Sequence, residues 1–286
     1  MKVGIGVLIG LFALSFIINV AMFLVLIKQL SFVQKLKKSV IKCLGKVEWV
    51  NQTEITNIPD LSLLTYSSQI ALISLDLLHN FEISYADQSN YNHGELIFVD
   101  KLGVNTLGCI LEVVSQNTIF LIFRGTQTKA EIKSDMDYQQ TDNVHTGFLN
   151  LFDTIQLELN TKLNVLENKN IIIVGHSLGA AIATLVARYL YSQKFNNIIT
   201  YLFASPRVGN LKFAKEFEPK NLVFNIGNTD DIVTNLPLSV MPNLKNPFVP
   251  FLYEHVGTMI YFSSNWGSWL SNHLLPIYKY YLQNQK

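Results

Sequence analysis

Residues 170–187 constrain the fold of this chain more than any other stretch, and they read NIIIVGHSLGAAIATLVA. Four β-favouring residues at 171–174 run directly into Gly175, and small and apolar residues at helical spacing follow Gly179. The stretch therefore predicts a strand, a sharp turn and a helix. A turn of this kind exposes the hydroxyl of Ser177 to a substrate carbonyl. The alternative is a glycine-rich turn in an α/β core without catalytic function.

The N-terminus contains a long apolar run. Residues 3–27 include no charged residue, and only Ser15 and Asn19 interrupt the run. At about 1.5 Å per residue such a helix is about 37 Å long, enough to cross a hydrocarbon core of about 30 Å. A cleaved signal peptide is the alternative, but its apolar region spans only about 7–15 residues. We therefore predict one retained transmembrane helix over residues 3–27.

A basic segment follows the predicted transmembrane helix. One lysine precedes the apolar run, whereas six follow it without any acid: Lys28, Lys35, Lys37, Lys38, Lys42 and Lys46. Because such charges stay on the cytoplasmic side, we predict a single-pass membrane protein whose catalytic domain is cytoplasmic. The alternative is a solvated basic helix, which also attracts anionic headgroups. The predicted domains are an anchor with its basic segment at 1–46 and a second domain at 47–286.

The charge of the second domain argues against nucleic acid as a partner. Residues beyond 46 carry 15 of the 22 basic residues and all 21 acidic ones, a formal charge of −6. Such a surface repels a phosphate backbone. Cys43 and Cys109 make no disulfide framework. No histidine has partners at metal-ligand spacing, so we predict neither a metal nor another cofactor.

Predicted strands alternate with predicted helices beyond residue 60. The strands lie at 96–99, 109–114, 118–123, 171–174, 198–203 and 222–226, and the helices at 61–81, 147–166, from the serine turn to about 195, and at 211–217. The run at 118–123 is apolar almost throughout, as expected of a central strand. The alternation predicts an α/β fold with a mostly parallel sheet covered by helices on both faces.

Residues suited to a catalytic triad follow the serine in the chain. In α/β-hydrolases the triad runs in the order serine, acid, histidine. The sequence offers Asp230 and Asp231 after a predicted strand, and then His255 and His273. The order is therefore compatible with a triad, and the residues alone leave two acids and two histidines open.

Several separate motifs resemble the class 3 lipases, the fungal-lipase-like branch of the α/β-hydrolases. In chain order they are FRGT at 123–126, VHTGFL at 144–149, GHSLGAA at 175–181, SPRVGN at 205–210, DIV at 231–233 with LP at 236–237, HVG at 255–257, and HLLP at 273–276 with Tyr278. The resemblance covers most of residues 61–282. It implies the α/β-hydrolase fold and a lipase or esterase acting on carboxylic esters.

The resemblance assigns roles position by position. Ser177 matches the family nucleophile, and Asp231 rather than Asp230 matches the acid because it directly precedes Ile-Val. His273 matches the late histidine that completes the triad, whereas His255 resembles a structural position. A hydroxyl nucleophile of this type needs the base and the acid to orient it.

The resemblance also implies an oxyanion hole. Its donors are the backbone N–H groups of Leu178 and Thr126, with the Thr126 hydroxyl as a third donor. Arg124 is expected to anchor this loop by hydrogen bonds. His145 and His176 occupy family positions that have packing and hydrogen-bonding roles.

The segment that matches the family's lid departs from the usual pattern. Residues 129–135 are short and largely charged, and Ile132 stands where the family usually has tryptophan. Only Ala130, Ile132 and Met136 are expected to face inward, so we predict weak activation at an oil interface. The anchor would then hold the domain at a membrane. Residues 236–251, with Trp266 and Trp269, are expected to help form an acyl pocket.

A lipid ester is the expected substrate, and three functions remain open. The first is a membrane-anchored serine lipase acting on glycerolipid esters. The second is a catalytically silent scaffold that binds lipid or protein, which the presence of Ser177, Asp231 and His273 disfavours. The third is a hydrolase of small esters or peptides on the same fold. The sequence does not indicate headgroup preference or oligomeric state.

Overall fold

The structure is a computed structural model. It describes residues 68–83, 92–93, 96–102, 107–114, 117–126, 131, 135, 137–217, 222–243, 245–246, 248–268 and 271–283. All of these lie in one unit of the chain, Ile55–Lys286. The anchor predicted over 3–27, the basic segment and the boundary after Lys46 lie outside the described residues and stay predictions. Within the described ranges, no helix is both long and apolar enough to cross a membrane.

The described residues form twelve strands. They are β1 (Asn92–His93), β2 (Leu96–Leu102), β3 (Gly108–Val113), β4 (Thr118–Phe123), β5 (Gln140–Thr141), β6 (Val144–His145), β7 (Asn170–His176), β8 (Ile198–Phe203), β9 (Leu222–Asn228), β10 (Val240–Met241), β11 (Phe251–Leu252) and β12 (Thr258–Phe262). Eight of them make one sheet in the order β1-β2-β3-β4-β7-β8-β9-β12. The pairs from β1 to β4 are antiparallel, and those from β4 to β12 are parallel.

Helices lie between most of the parallel strands, as the sequence predicts. In the described part of the chain they are α1 (Ser68–Ile83), α2 (Thr146–Asn160), α3 (Leu163–Leu166), α4 (Leu178–Ser192), α5 (Leu211–Lys215) and α6 (Leu275–Gln283). Two 3-10 turns, Ile232–Asn235 and Ser271–His273, follow β9 and precede α6. The predicted α/β class with a mostly parallel sheet is confirmed.

The sheet separates two hydrophobic cores because neighbouring residues of a strand point to opposite faces. In β4, Ile119 and Leu121 pack into one core with residues of α2 and α4, whereas Phe120 and Ile122 pack into the other with residues of α1 and α6. All six residues of β4 are buried. The prediction of a central strand at 118–123 is therefore confirmed, with helices covering both faces.

The single helix predicted at 147–166 is divided in the structure. α2 ends at Asn160 and α3 begins at Leu163. The hydroxyl of Thr161 donates a hydrogen bond of 2.7 Å to the Glu158 carbonyl. A threonine side chain that hydrogen-bonds the preceding turn competes with helix continuation. The apolar spacing extends across the break and conceals it in the sequence.

Candidate active site

Ser177 lies at the junction of β7 and α4. Its φ is 57° and its ψ −125°, a left-handed conformation that is uncommon for a residue with a side chain. Its backbone N–H donates to the Phe203 carbonyl at 3.0 Å. Although Ser177 is the N-cap residue of α4, its hydroxyl makes no capping hydrogen bond. The hydroxyl is therefore left for another partner.

Two glycines make this tight junction possible. A Cβ atom on Gly175 would lie 2.1 Å from the Gly179 carbonyl oxygen, and one on Gly179 would lie 2.2 Å from the Phe123 carbonyl oxygen. Real Cβ atoms do not approach backbone so closely, so neither position accepts a side chain without a shift of the backbone. The start of α4 therefore packs directly against the ends of β7 and β4.

The partner of the Ser177 hydroxyl is His273, in the turn before α6. Its Nε2 lies 2.8 Å from Ser177 Oγ, and its Nδ1 lies 2.8 Å from Asp231 Oδ2. With the proton on Nδ1 beside the carboxylate, Nε2 accepts the serine hydroxyl. The backbone carbonyl oxygen of His273 lies 2.8 Å from Nε2 of His176. The structure therefore brings Ser177, His273 and Asp231 into one hydrogen-bonded chain.

Asp231 follows β9 and is fully buried. Its Oδ1 accepts the Val233 backbone N–H at 2.9 Å, and its Oδ2 accepts the Tyr278 hydroxyl at 2.7 Å in addition to His273. Burial raises the pKa of Tyr278 well above its ordinary value, and the negative charge of Asp231 raises it further. Tyr278 is therefore a protonated donor, and three donors surround the Asp231 carboxylate.

The two residues expected to form an oxyanion hole lie on neighbouring elements. Leu178 is the first residue of α4, and the N–H groups of a first helical turn have no partner within the helix. Thr126 lies three residues after the end of β4, and the start of α4 packs against that end of the strand. The Thr126 hydroxyl donates to Asp135 Oδ2 at 2.8 Å. In this structure the hydroxyl is therefore directed to a carboxyl group.

Asp135 has an unusual environment for an acid. Its second oxygen, Oδ1, is inaccessible to solvent and has no hydrogen-bond partner among the described residues. Burial raises the pKa of Asp135 to about 7, the hydrogen bond from Thr126 lowers it, and the negative charge of Glu131 raises it further. The neutral form of this carboxyl group is therefore accessible near neutral pH.

Arg124 anchors the loop after β4, as expected. Its Nη1 donates to the Gly125 carbonyl at 2.8 Å, and its guanidinium makes two hydrogen bonds to Glu131, at 2.9 and 3.1 Å. Both residues are buried. The expectation that only apolar residues of the lid segment face inward is therefore wrong for Glu131, because a buried arginine supplies its counter-charge. Ala130, Ile132 and Met136 lie outside the described residues.

The other residues considered as acid or base lie elsewhere. His255 Nε2 is 2.8 Å from the Thr234 carbonyl oxygen, and Asp230 Oδ2 accepts the Ser263 hydroxyl at 2.9 Å. Burial lowers the pKa of His255 to about 4, assisted by the positive charge of Arg207. His255 is therefore neutral at pH 7 and bonded to backbone away from the serine.

His145 stabilises the start of α2. Its Nδ1 accepts the Phe148 backbone N–H at 3.3 Å, and its ring stacks on that of Phe148 with centroids 3.9 Å apart. Burial lowers the pKa of His145 to about 3, so the ring is a neutral acceptor at pH 7. Its position agrees with a packing and hydrogen-bonding role.

The segment expected to help form the acyl pocket is largely exposed. Four of its large apolar residues are more than half exposed: Leu238, Val240, Phe248 and Val249. Trp266 is also exposed, and Trp269 lies outside the described residues. The apolar side chains of this segment are therefore largely on the surface rather than in the core.

The sequence does not identify two contributors to the site. Tyr278 stands out only as part of a motif, and its position five residues after His273 is the signal that links it to the acid. Asp135 gave no such signal, because an acid in a charged segment ordinarily faces solvent. Over the described part of the chain, no group of three or more His, Cys, Asp or Glu residues is arranged to hold a metal ion.

Comparison with known proteins identifies relatives of this chain. Residues 120–241 match the family model of lipase (class 3). The secreted mono- and diacylglycerol lipase A of Penicillium cyclopium is 31% identical over 155 residues, which are 50% of this chain and 51% of the relative. Phospholipase A1-II 1 of Oryza sativa subsp. indica is 30% identical over 161 residues, 44% of this chain and 41% of the relative. The chain thus spans about half the length of the curated relatives it matches.

A solved structure has the same fold. The lipase of Rhizomucor miehei in its propeptide complex has a TM-score of 0.56 and 21% sequence identity, and the match covers 69% of each chain. The α/β-hydrolase-like fold expected from the motifs is therefore confirmed. The chain is a relative of the class 3 lipases.

Proposed function

We propose that this relative of the class 3 lipases hydrolyses carboxylic ester bonds of glycerolipids, with Ser177 as the nucleophile. One observation carries the proposal. His273 lies 2.8 Å from both Ser177 Oγ and Asp231 Oδ2, through different ring nitrogens. A base that accepts the serine proton on one nitrogen while a carboxylate holds the other is the arrangement that activates a serine hydroxyl.

The proposed reaction proceeds in two halves. His273 takes the hydroxyl proton as Ser177 Oγ attacks the ester carbonyl, and it then gives that proton to the departing alcohol, which leaves an acyl group on Ser177. Water attacks the acyl group with His273 again as base, and the released acid regenerates the serine. Asp231 holds the Nδ1 proton and stabilises the imidazolium formed in each half.

The proposed oxyanion hole comprises the backbone N–H groups of Leu178 and Thr126. The first supporting feature is the position of Leu178 at the N-terminus of α4, where the helix dipole also favours negative charge. The second is the close packing of α4 on the end of β4, the strand that leads to Thr126. Loss of one such donor costs about 3 to 4 kcal/mol of transition-state stabilisation.

Glycerolipid esters are the proposed substrate class because relatives of this chain act on such lipids. One of them is a mono- and diacylglycerol lipase and another a phospholipase A1. A chain-length series of nitrophenyl esters would test this class against small-ester hydrolysis. We expect kcat/KM to rise with acyl length up to a medium or long chain. A maximum at the acetate ester would contradict a lipid substrate.

Labelling by a fluorophosphonate probe distinguishes an enzyme from a silent scaffold. We expect the full-length chain to be labelled and to hydrolyse esters, and the variant Ser177→Ala to do neither. Ser192→Ala, which alters a serine at the far end of α4, is the matched control and should retain both properties. An unlabelled chain, or retained hydrolysis in Ser177→Ala, would remove Ser177 from the mechanism.

We further propose that residues 1–46 hold the domain at 47–286 on a membrane, facing the cytoplasm. The support is the charge-free run at 3–27 and the six lysines that follow it. The acceptor sequence at Asn51 offers a test, because glycosylation of Asn51 requires exposure to the lumen. We expect Asn51 to stay unmodified during synthesis with microsomes, and to be glycosylated when the six lysines are replaced by glutamine.

A further inference from the structure

An apolar hairpin follows Asp231 in the chain. It comprises residues 236–253, and its strands β10 and β11 pair Val240 with Leu252 and Met241 with Phe251. Residues directly opposite each other in an antiparallel pair present their side chains on the same face. Val240 and Leu252 are therefore neighbours on one face of the hairpin, and Met241 and Phe251 on the other.

The two faces differ in burial. Val240 and Leu252 are both more than half exposed, and so is Leu238, two residues before Val240 in the chain. Met241 and Phe251 are partly buried. The hairpin thus covers the protein with one face and presents a row of apolar side chains to solvent with the other.

The tip of the hairpin extends this apolar surface. Phe248 is 91% exposed, and Val249 is also more than half exposed. Side-chain and backbone oxygens fix the tip: Asn243 Oδ1 accepts the N–H groups of Lys245 and Asn246, and Asn246 accepts those of Phe248 and Val249. A tip held by these hydrogen bonds presents Phe248 in a defined position.

The base of the hairpin is fixed to the body of the protein. Arg207 Nη1 donates to the carbonyls of Asn235 and Pro237, at 2.6 and 2.9 Å. On the other strand, Gln140 Nε2 donates to the Leu252 carbonyl at 2.6 Å, and Tyr253 is buried. The exposed apolar face is therefore part of the fold and not a frayed end.

The hairpin follows the acid of the proposed active site in the chain, and exposed apolar residues also stand next to the acid and the base in the sequence. Asp231 precedes the hairpin by five residues, and the intervening Ile232 is exposed. Leu274, directly after His273, is exposed as well. Between Ile232 and Tyr253 the only charged residue is Lys245, which is exposed, and there is no acid.

We propose that this hairpin docks the domain on a phospholipid membrane surface, with Phe248 and Val249 entering the boundary between headgroups and acyl chains and Lys245 at the headgroups. Although the domain as a whole carries a formal charge of −6, the hairpin itself has one cation and no acid. An apolar tip of this kind suits a deformable lipid surface. A stable protein partner would instead need about 800 Å² of complementary surface on each side. The proposal rests on the proposed function, since docking assists hydrolysis only if Ser177 cleaves lipid esters.

Site-specific probes test docking without requiring catalysis. A full-length chain carrying Ser177→Ala and Cys43→Ser is given Phe248→Cys, labelled with an environment-sensitive fluorophore, and mixed with phosphatidylcholine–phosphatidylserine vesicles whose acyl chains are brominated. The remaining Cys109 is buried. Leu157→Cys on α2, which replaces another largely exposed apolar residue, is the control. Because both chains keep residues 1–46, any attachment through that segment is the same in both.

We expect bromine quenching of the probe at 248 to be at least about threefold stronger than at 157, since only an inserted tip reaches the acyl chains. Val249→Cys should give the same result as Phe248→Cys. Equal quenching at 248 and 157, strong or weak, would overturn the proposal.

An activity measurement provides the second arm. In the otherwise unaltered chain, Phe248→Ser should lower the ratio of the rate on vesicle lipid to the rate on a soluble short-chain ester about tenfold. An unchanged ratio would overturn docking by the hairpin. Absence of hydrolysis on both substrates would instead refute the proposed function, and the quenching arm would still decide whether the hairpin docks.

Discussion

Asp231 and Asp135 each accept a hydrogen bond from a residue of the proposed mechanism, His273 and Thr126 respectively, at 2.8 Å. Their surroundings differ. Three donors surround the Asp231 carboxylate: the Val233 N–H, the Tyr278 hydroxyl and His273. Among the described residues Asp135 has one donor, and its Oδ1 has none.

The difference matters for the role of each carboxyl group. The donors on Asp231 hold its oxygens in place, so that Oδ2 accepts from His273. Burial with few hydrogen bonds favours the neutral form of a carboxyl group, and the pKa of Asp135 is raised to about 7. A neutral Asp135 can donate its own proton to Thr126 Oγ, which leaves the threonine hydroxyl proton for an oxyanion.

Of the changes that test this comparison, Asp231→Asn should have the largest effect on turnover, because it removes the acceptor that fixes the His273 tautomer. We expect turnover to fall about 10⁴-fold with little change in KM. Asp230→Asn is the control, since Asp230 bonds Ser263 and not His273. Steady-state kinetics on a soluble ester would measure both variants, and equal losses in the two would contradict the assignment of the acid.

Thr126→Ala should have the next largest effect. We expect turnover to fall about 10²- to 10³-fold while KM changes little, because the hydroxyl acts on the transition state. Thr126→Ser keeps a hydroxyl and should stay within about tenfold of the wild-type chain. Equal losses of turnover and of substrate binding, or no loss, would remove the Thr126 side chain from the oxyanion hole.

The fold could be predicted to a large extent because local signals agree with it. An apolar run predicts the strand at 118–123, and an apolar run followed by glycines predicts the junction at Ser177. The structure has a strand at the first and a strand, a turn and a helix at the second. The break between α2 and α3 was not predicted, because it depends on the Thr161 hydroxyl rather than on hydrophobic spacing.

The site was less accessible from the sequence, since its contacts join distant residues. Ser177 and His273 are 96 positions apart, and the resemblance of their motifs to the class 3 lipases, not their order alone, associates the two. Glu131 was expected in solvent because of its charge, and only the structure reveals the Arg124 guanidinium that compensates it. The apolar run at 236–251 is expected to help form an acyl pocket, and the sequence does not show that Phe248 within it is exposed at a hairpin tip.

Tyr278→Phe tests whether the number of donors on Asp231 matters. Loss of a hydrogen bond to a charged group costs about 1.5 to 3 kcal/mol, so we expect turnover to fall about tenfold or more. The fall should appear in turnover rather than in KM, because the carboxylate stabilises the imidazolium that forms in the transition state. Tyr280→Phe, an exposed tyrosine on the same helix, is the control. Equal turnover in the two variants would mean that Tyr278 only packs.

Asp135→Asn tests the other carboxyl group and should have the smallest effect on turnover; its effect is on stability. A carboxyl whose pKa is raised on folding binds its proton more tightly in the folded state, so the free energy of unfolding decreases as pH rises from about 4 to about 7. Asparagine removes this titration while keeping an oxygen that accepts from Thr126. We therefore expect the variant to gain about 4 kcal/mol over the wild-type chain between pH 4 and pH 8, measured by denaturant unfolding at both values. Asp153→Asn, at an exposed position of α2, should show no such gain. If Asp135→Asn retained the wild-type dependence on pH, the Asp135 carboxyl would be ionised across this range, and its contrast with Asp231 would disappear.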